Sequence, residues 1–161
     1  MKKRLLPLLA ALMGMTNSLW ADNIDFADSS VKAICVSKWD TDGDGELSEA
    51  EAAAVTNIGT EFYQNSNIKS FNELRYFTSL TTIPQNAFYQ CMSLEAITLP
   101  ETITYIAKNA FMGCSGLTGF IIPDAVTSIG NNAFQGCSDL NQITSLISNP
   151  FSISAFDNTV T

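Results

Sequence analysis

Residues 40–51 read DTDGDGELSEAE and place oxygen-bearing side chains at the spacing of a loop that can wrap around one cation. Carboxylates stand at positions one, three, five and twelve of this acidic loop, at Asp40, Asp42, Asp44 and Glu51. Gly45 holds position six, where the chain must turn sharply in a conformation that glycine adopts at little cost. Carboxylates about 5 Å apart repel by roughly 3 kcal/mol per pair at an effective dielectric of about 20. A dication would offset this repulsion, so the pattern predicts a metal site, the alternative being a solvated acidic turn.

The residues on either side of the acidic loop have the patterns of an entering and an exiting helix. Val31, Cys35 and Trp39 recur every four residues and would form one apolar stripe. Ser48 and Glu51 form the S-x-x-E pattern of a capping box, which starts a helix because each side chain satisfies a backbone N–H. The sequence therefore predicts a helix–loop–helix around the acidic loop.

This predicted helix–loop–helix resembles an EF-hand. Beyond the four carboxylates, the backbone carbonyl of Glu46 at position seven and the hydroxyl of Ser48 at position nine would be ligands, the hydroxyl directly or through water. Hard oxygen ligands on a flexible loop favour calcium over magnesium, so calcium is the expected cofactor. EF-hands normally come in pairs, whereas the sequence contains one such loop. We therefore expect a structural rather than a sensory site, with an affinity on the order of 10⁻⁴ to 10⁻³ M.

The second half of the chain repeats itself at an offset of 23 residues. Three columns define the repeat, namely Ala-Phe at 87–88, 110–111 and 133–134, cysteine at 91, 114 and 137, and leucine at 94, 117 and 140. A period in the twenties is typical of leucine-rich solenoids. Each repeat would contribute a short strand in L-x-x-I-x-L, whose alternate residues point inward. Pro100 and Pro123 would end two of these strands because proline has no N–H to donate.

Between about Ile83 and Ile143 the repeats resemble the BspA-type, or treponemal-type, leucine-rich repeats of secreted and surface proteins of bacteria. The resemblance implies an α/β repeat fold, a short leucine-rich-repeat solenoid, here preceded by the α-helical EF-hand-like segment. The general leucine-rich pattern has an asparagine after the strand, where this chain has Thr102 and Ala125. The asparagine ladder of that pattern is therefore not expected.

The pattern along the chain predicts five segments. Residues 1–21 have the basic tip, the apolar run and the polar end of a secretory signal peptide, and the apolar run is shorter than the roughly 20 residues that a bilayer span needs. The segments that follow are the EF-hand-like calcium-binding module at 22–60, an N-terminal cap of the solenoid at 61–80, the repeats at 81–147, and a degenerate repeat or truncated end at 148–161.

The predicted cap has its own pattern. Apolar residues recur every three positions from Ile68 to Leu80, which indicates an irregular coil rather than a full repeat. Ser70 and Glu73 are expected to cap a one-turn helix there. The calcium-binding module would lean on the cap through Trp39, Ile58 or Phe62.

The cysteines admit two interpretations. Export from the cytoplasm favours disulfides, but Cys91, Cys114 and Cys137 occupy equivalent positions and would stack as a ladder. Parallel side chains rarely have the dihedral angle that a disulfide requires. We therefore favour buried thiols that act as small apolar fillers, with Cys35 on the stripe of the entering helix. Pairing within the ladder stays open.

Composition excludes several function classes. The chain has no histidine, which excludes Ser-His and Cys-His nucleophile pairs and histidine-ligated metals. The formal net charge of −8 disfavours nucleic acid and anionic lipid and suits a cation or a basic partner. No further apolar run long enough to span a membrane follows the signal peptide. We therefore expect neither an enzyme nor a nucleic-acid-binding protein.

The expected function is that of a secreted or cell-surface calcium-binding repeat protein that acts as an adhesion module. The resemblance to BspA-type proteins implies a host or neighbouring-cell protein or glycan as the partner. Its expected binding surface is formed by outward-facing strand residues, represented by Thr98, Ile121 and Thr144, of which Ile121 is the most suggestive because it is apolar. The alternative is a non-catalytic spacer or fragment that presents a further C-terminal domain.

Overall fold

The computed structural model of the protein describes residues 22–148. The predicted signal peptide at 1–21, and residues 149–161 of the predicted degenerate end, lie outside the described residues. Helix α1 spans Ser29–Trp39, α2 spans Glu49–Ala54, and a 3₁₀ helix spans Asn72–Tyr76. The strands of the described part are β1 Ser70–Phe71, β2 Thr82–Ile83, β3 Ala96–Ile97, β4 Tyr105–Ile106, β5 Gly119–Ile122, β6 Ser128–Ile129 and β7 Gln142–Ser145.

The strands pair in parallel across successive coils, and the offset between partners is the repeat length everywhere except between β1 and β3. β2, β4 and β6 form a three-stranded sheet in which Thr82, Tyr105 and Ser128 are partners, 23 residues apart in each step. β5 pairs with β7 at the same offset. β1 pairs with β3 at an offset of 26, through Ser70 and Ala96. The described residues therefore form a leucine-rich-type repeat fold of small parallel strands with few helices.

A column of phenylalanine rings runs through the interior of the stacked repeats. The rings of Phe88 and Phe111 lie 5.2 Å apart with planes 2° from parallel, and those of Phe111 and Phe134 lie 5.4 Å apart at 7°. Phe62 extends the column upstream, 5.3 Å from Phe88. These separations are in the range that favours aromatic pairs. The repeated Ala-Phe pairs of the sequence thus supply the core of the stack.

The repeated cysteines form a second buried column. Their thiols are free, and each donates a hydrogen bond to the backbone carbonyl of a phenylalanine in the preceding coil. The pairs are Cys91 with Phe62 at 2.9 Å, Cys114 with Phe88 at 3.0 Å, and Cys137 with Phe111 at 3.2 Å. Burial raises the pKa of the Cys137 thiol to about 12, which disfavours the reactive thiolate.

A column of asparagines shapes the turn before each Ala-Phe pair. Asn86, Asn109 and Asn132 have φ angles of 60°, 58° and 60°, in the left-handed region that asparagine tolerates better than most residues. The side-chain amide of Asn109 donates to Asn86 Oδ1 at 3.2 Å. One asparagine–asparagine hydrogen bond between coils is therefore present, at a different position of the repeat from the one at which the sequence argued against a ladder.

Two expectations are wrong. Ser70 and Glu73 do not cap the 3₁₀ helix, because Ser70 belongs to β1 and Glu73 lies inside the helix, where it is only 5% exposed and accepts from the N–H of Ala27 at 3.3 Å. Ile143, which the repeat places in the inward column, is 37% exposed. Its strand belongs to the last described coil and pairs with β5 alone among the described strands.

Asp28 joins α1 to the start of the repeats. Its Oδ1 atom caps α1 by accepting from the N–H groups of Ser30 and Val31 at 2.8 and 3.2 Å. Its Oδ2 atom accepts from the N–H groups of Lys69 and Ser70 at 2.6 and 3.4 Å. One carboxylate therefore fixes both the beginning of the helix and the beginning of β1.

Candidate metal site and strand surface

The structure brings three of the predicted metal ligands together. Carboxylate oxygens of Asp40, Asp42 and Asp44 lie within 4.8 Å of one another. The Asp40 carboxylate is held by the N–H groups of Gly43 and Gly45, at 2.7 and 2.9 Å. Oxygens bound to one calcium ion at 2.3–2.6 Å can be at most about 5 Å apart. The three carboxylates therefore fit a single dication of that size.

The loop backbone supports the remaining two aspartates. Asp42 Oδ1 accepts from the N–H of Asp44 at 3.1 Å, and Asp44 Oδ1 accepts from the N–H of Glu46 at 2.8 Å. Gly45 has a φ of 86°, the region that favours glycine, as the sequence predicted for position six. The turns of the acidic loop thus orient the alternating carboxylates toward one side.

Glu51 lies outside this group and joins the two ends of the loop. Its Oε1 atom accepts from the N–H and the hydroxyl of Thr41 at 2.6 and 2.8 Å, and its Oε2 atom accepts from the N–H and the hydroxyl of Ser48 at 2.9 and 3.0 Å. Burial alone would raise the pKa of Glu51, but hydrogen bonds from Ser48 and Thr41 outweigh it and lower the pKa to about 2. Glu51 is therefore ionised at neutral pH.

Ser48 and Glu46 have partners of their own. Ser48 Oγ accepts from the N–H of Glu51 at 3.2 Å, and the reciprocal bond confirms the predicted capping box at the start of α2. The carboxylate of Glu46 forms an ion pair with Lys32, with a shortest N···O distance of 2.6 Å. That ion pair directs the Glu46 side chain to α1, which is compatible with the backbone carbonyl being the predicted ligand.

Negative charge is concentrated around this loop. Ten acidic residues lie between Asp22 and Glu61, against the two lysines Lys32 and Lys38. Both lysines are already in ion pairs, with Glu46 and Glu61 respectively. No cationic side chain of the described residues forms an ion pair with the three clustered aspartates. Their mutual repulsion is the physical reason to expect an external cation there.

The predicted binding surface is only partly assembled. Ile121, which is 54% exposed, and Thr144 line an open depression of about 390 Å³ whose lining also includes the small residues Ala96 and Gly119. Thr98 is not among its lining residues, and its hydroxyl donates to Asn72 Oδ1 at 3.0 Å. We call this feature the strand-face depression.

Two residues of this region were missed by the sequence analysis. Asp28 stands before Ser29 and Ser30 and ahead of the apolar stripe, which is the ordinary signal of a helix N-cap. Thr41, which holds Glu51, occupies position two of the loop, where the calcium-loop pattern accepts any residue. No local signal distinguishes it.

Comparisons with known proteins identify the repeats. A family model described as the BspA type leucine rich repeat region matches residues 52–161 in six copies. Among solved structures, the chain is similar to a leucine rich cell surface protein from Faecalibacterium prausnitzii A2-165, with 33% sequence identity and a TM-score of 0.42. That match covers 49% of this chain and 23% of the other chain. No curated protein matches. Among residues 22–148, no helix has the length and apolar character to cross a membrane.

Proposed function

The chain belongs to the BspA-type leucine-rich repeat family, and we propose that it is a secreted or cell-surface calcium-binding adhesion module. Leucine-rich repeat families are generally binding modules, which supports a non-catalytic role. The family match begins at residue 52, immediately after the acidic loop. The proposal for calcium therefore rests on the geometry of that loop, and the proposal for adhesion rests on the repeats.

The observation that carries the calcium proposal is the convergence of three carboxylates that no described cation neutralises. Asp40, Asp42 and Asp44 supply hard oxygen ligands, and the carbonyl of Glu46 would add a fourth. Bound calcium would supply charge neutralisation and fix the loop between α1 and α2. To bind the ion, Glu51 would have to give up its hydrogen bonds from Thr41 and Ser48. This competition supports a weak site, with an affinity in the millimolar to submillimolar range.

Calorimetric titration of the full chain with calcium chloride tests this proposal. We expect one site, a rise in melting temperature with calcium, and a reversal on adding a chelator. Asp42→Asn should weaken binding by at least about tenfold because it removes one charge from the site. The matched control is Glu49→Gln, which removes a nearby exposed charge outside the ligand set. Absence of both heat and melting shift would contradict the proposal.

The adhesion proposal concerns the strand-face depression. An exposed isoleucine beside small and hydroxyl-bearing residues suits a host or neighbouring-cell protein or glycan, and the acidic chain suits a basic partner. Binding of the labelled protein to cultured epithelial cells can be measured by flow cytometry. Ile121→Asp should reduce binding, whereas Ser128→Asp, at an exposed position of the β2–β4–β6 sheet, should not. Equal binding by both variants would argue against this surface.

A further inference from the structure

Four side chains on the first two coils form an outer patch. The rings of Tyr63 and Tyr89 are stacked, with centroids 5.2 Å apart and planes 10° from parallel. Beside them, the side-chain amide of Gln64 donates to Gln90 Oε1 at 2.8 Å. Tyr63 is 44% exposed, and both glutamines are exposed. We call these four residues the tyrosine–glutamine patch.

The patch is particular to two neighbouring coils. The chain reads Phe-Tyr-Gln at 62–64 and again at 88–90, but Phe-Met-Gly at 111–113 and Phe-Gln-Gly at 134–136. All four phenylalanines stack in one column. The later coils therefore stack with Met112 and Gln135 in place of the tyrosines and with glycine in place of the glutamines, so the repeat itself does not require the patch.

Both glutamines adopt a conformation that the later coils give to glycine. Gln64 and Gln90 have a φ of 54°, and the equivalent Gly113 and Gly136 have φ angles of 77° and 76°. The conformation is set by the stack, because the N–H groups of Gln64, Gln90 and Gly113 each donate to a carbonyl of the next coil at 2.7 Å. Glycine meets this requirement at lower cost than glutamine. Two strained glutamines side by side indicate a use for their amides.

The hydrogen-bonding capacity left over in the patch defines the ligand. Gln64 retains its carbonyl oxygen as an acceptor, and Gln90 retains both hydrogens of its amide nitrogen as donors. An aromatic pair beside them offers an apolar surface with polar tips, and none of the four side chains is charged. We propose that the tyrosine–glutamine patch binds a neutral sugar unit of a glycan, whose C–H face covers the tyrosines while its hydroxyls bond the amides. This site shares no residue with the acidic loop or the strand-face depression.

A glycan microarray that carries neutral and sialylated oligosaccharides, probed with the full chain, tests this inference. The strongest neutral ligand is then titrated against three variants. Tyr63→Ala removes the more exposed ring, and the double variant Gln64→Gly with Gln90→Gly removes the amides while keeping a suitable backbone. Tyr105→Ala is the matched control, since Tyr105 is a 37% exposed tyrosine on the β2–β4–β6 sheet.

We expect the two patch variants to bind at least about tenfold more weakly and Tyr105→Ala to bind as the native protein does. The double glycine variant should keep its melting temperature, because glycine suits the φ that both positions require. The inference is overturned if the chain binds only sialylated glycans or binds no glycan. It is also overturned if Tyr63→Ala binds the neutral sugar as tightly as the native protein does. A fall in the melting temperature of the double variant with unchanged sugar binding would assign the amides a purely structural role and overturn it too. Ile121→Asp should leave sugar binding unchanged, which separates this site from the proposed adhesion surface.

Discussion

The indole of Trp39 meets the ring of Phe77 edge-on, with centroids 5.4 Å apart and planes at 79°. Trp39 is the last residue of α1 and directly precedes Asp40, the first carboxylate of the acidic loop. Phe77 in turn contacts Phe71, whose side chain is fully buried among the first coils. One side chain therefore connects the proposed calcium site with the aromatic core of the repeats.

Replacing Trp39 with alanine should destabilise the whole described fold. We expect a loss of about 2–4 kcal/mol in the free energy of unfolding, because a large half-buried ring and its edge-on contact are lost. Chemical denaturation followed by circular dichroism measures this loss. Lys38→Ala, which removes an exposed ion pair with Glu61, should cost less than about 1 kcal/mol. Two separate transitions, of which Trp39→Ala shifts only the first, would show that the two parts unfold independently.

Replacing Glu51 with glutamine separates its two roles. Without calcium we expect the free energy of unfolding to fall by about 1–3 kcal/mol. One of the two carboxylate oxygens that accept from Thr41 and Ser48 becomes an NH₂ group, which cannot accept. With calcium, the increase in melting temperature should disappear because the predicted carboxylate ligand at position twelve is lost. Melting curves with calcium and with chelator measure both effects, and Glu49→Gln is the control. A calcium shift of native size in Glu51→Gln would remove Glu51 from the ligand set.

Asp28 should make stability depend on acid. Burial alone would raise the pKa of Asp28. Hydrogen bonds from four backbone N–H groups outweigh burial and hold the pKa below its ordinary value. The donors are Lys69, Val31, Ser30 and Ser70. Because the folded pKa lies below the unfolded one, the stabilisation is complete above the unfolded value and is lost as the pH falls through the folded value.

The matching variant is Asp28→Asn, which can still cap α1 but cannot accept at both atoms. It should lower stability at pH 7 and flatten the loss of stability below about pH 4. Urea denaturation at a series of pH values measures this, with Asp25→Asn at an exposed position as control. If the stability of Asp28→Asn falls as steeply below about pH 4 as that of the native chain, other carboxylates cause the acid dependence.

Gly130 is required by close contact between coils rather than by its backbone angles. A Cβ atom at this position would lie 2.5 Å from the backbone nitrogen of Lys108 and 2.9 Å from the carbonyl carbon of Ala107. Gly130→Ala should therefore cost about 1–3 kcal/mol, since backbone must move. In Gly119→Ala the nearest atom would be 3.7 Å away, and stability measured by denaturation should change little. Equal stability of the two variants would contradict the close packing of these coils.

Periodicity accounts for most of the fold that the sequence predicted. Ala-Phe and cysteine recur every 23 residues, and the structure stacks these phenylalanines and thiols in columns. The same periodicity agrees with the burial of Ile103 and Ile106, both of which are fully buried. It did not predict a second sheet, because two-residue strands such as β4 are too short for an alternating pattern.

Contacts between distant segments account for what the sequence did not show. The acidic loop pattern placed Asp40, Asp42 and Asp44 together, since their spacing is local. The attachment of Glu51 to Thr41 and of Asp28 to Lys69 depends on how segments meet in space. The sequence also did not predict the left-handed backbone at Gln64 and Gln90. That conformation is recognised only when the folded stack aligns both residues with Gly113 and Gly136.

The constant 23-residue register has a consequence for how such a chain can change length. Each coil offers its downstream neighbour nearly the same ring, thiol and strand edge that it received from its upstream neighbour. An in-frame duplication or deletion of one whole 23-residue unit therefore preserves these ring, thiol and strand contacts, whereas the 26-residue step between β1 and β3 lies outside that register. Array length can thus change by whole units, while the helical start with its acidic loop has no equivalent unit among residues 22–148.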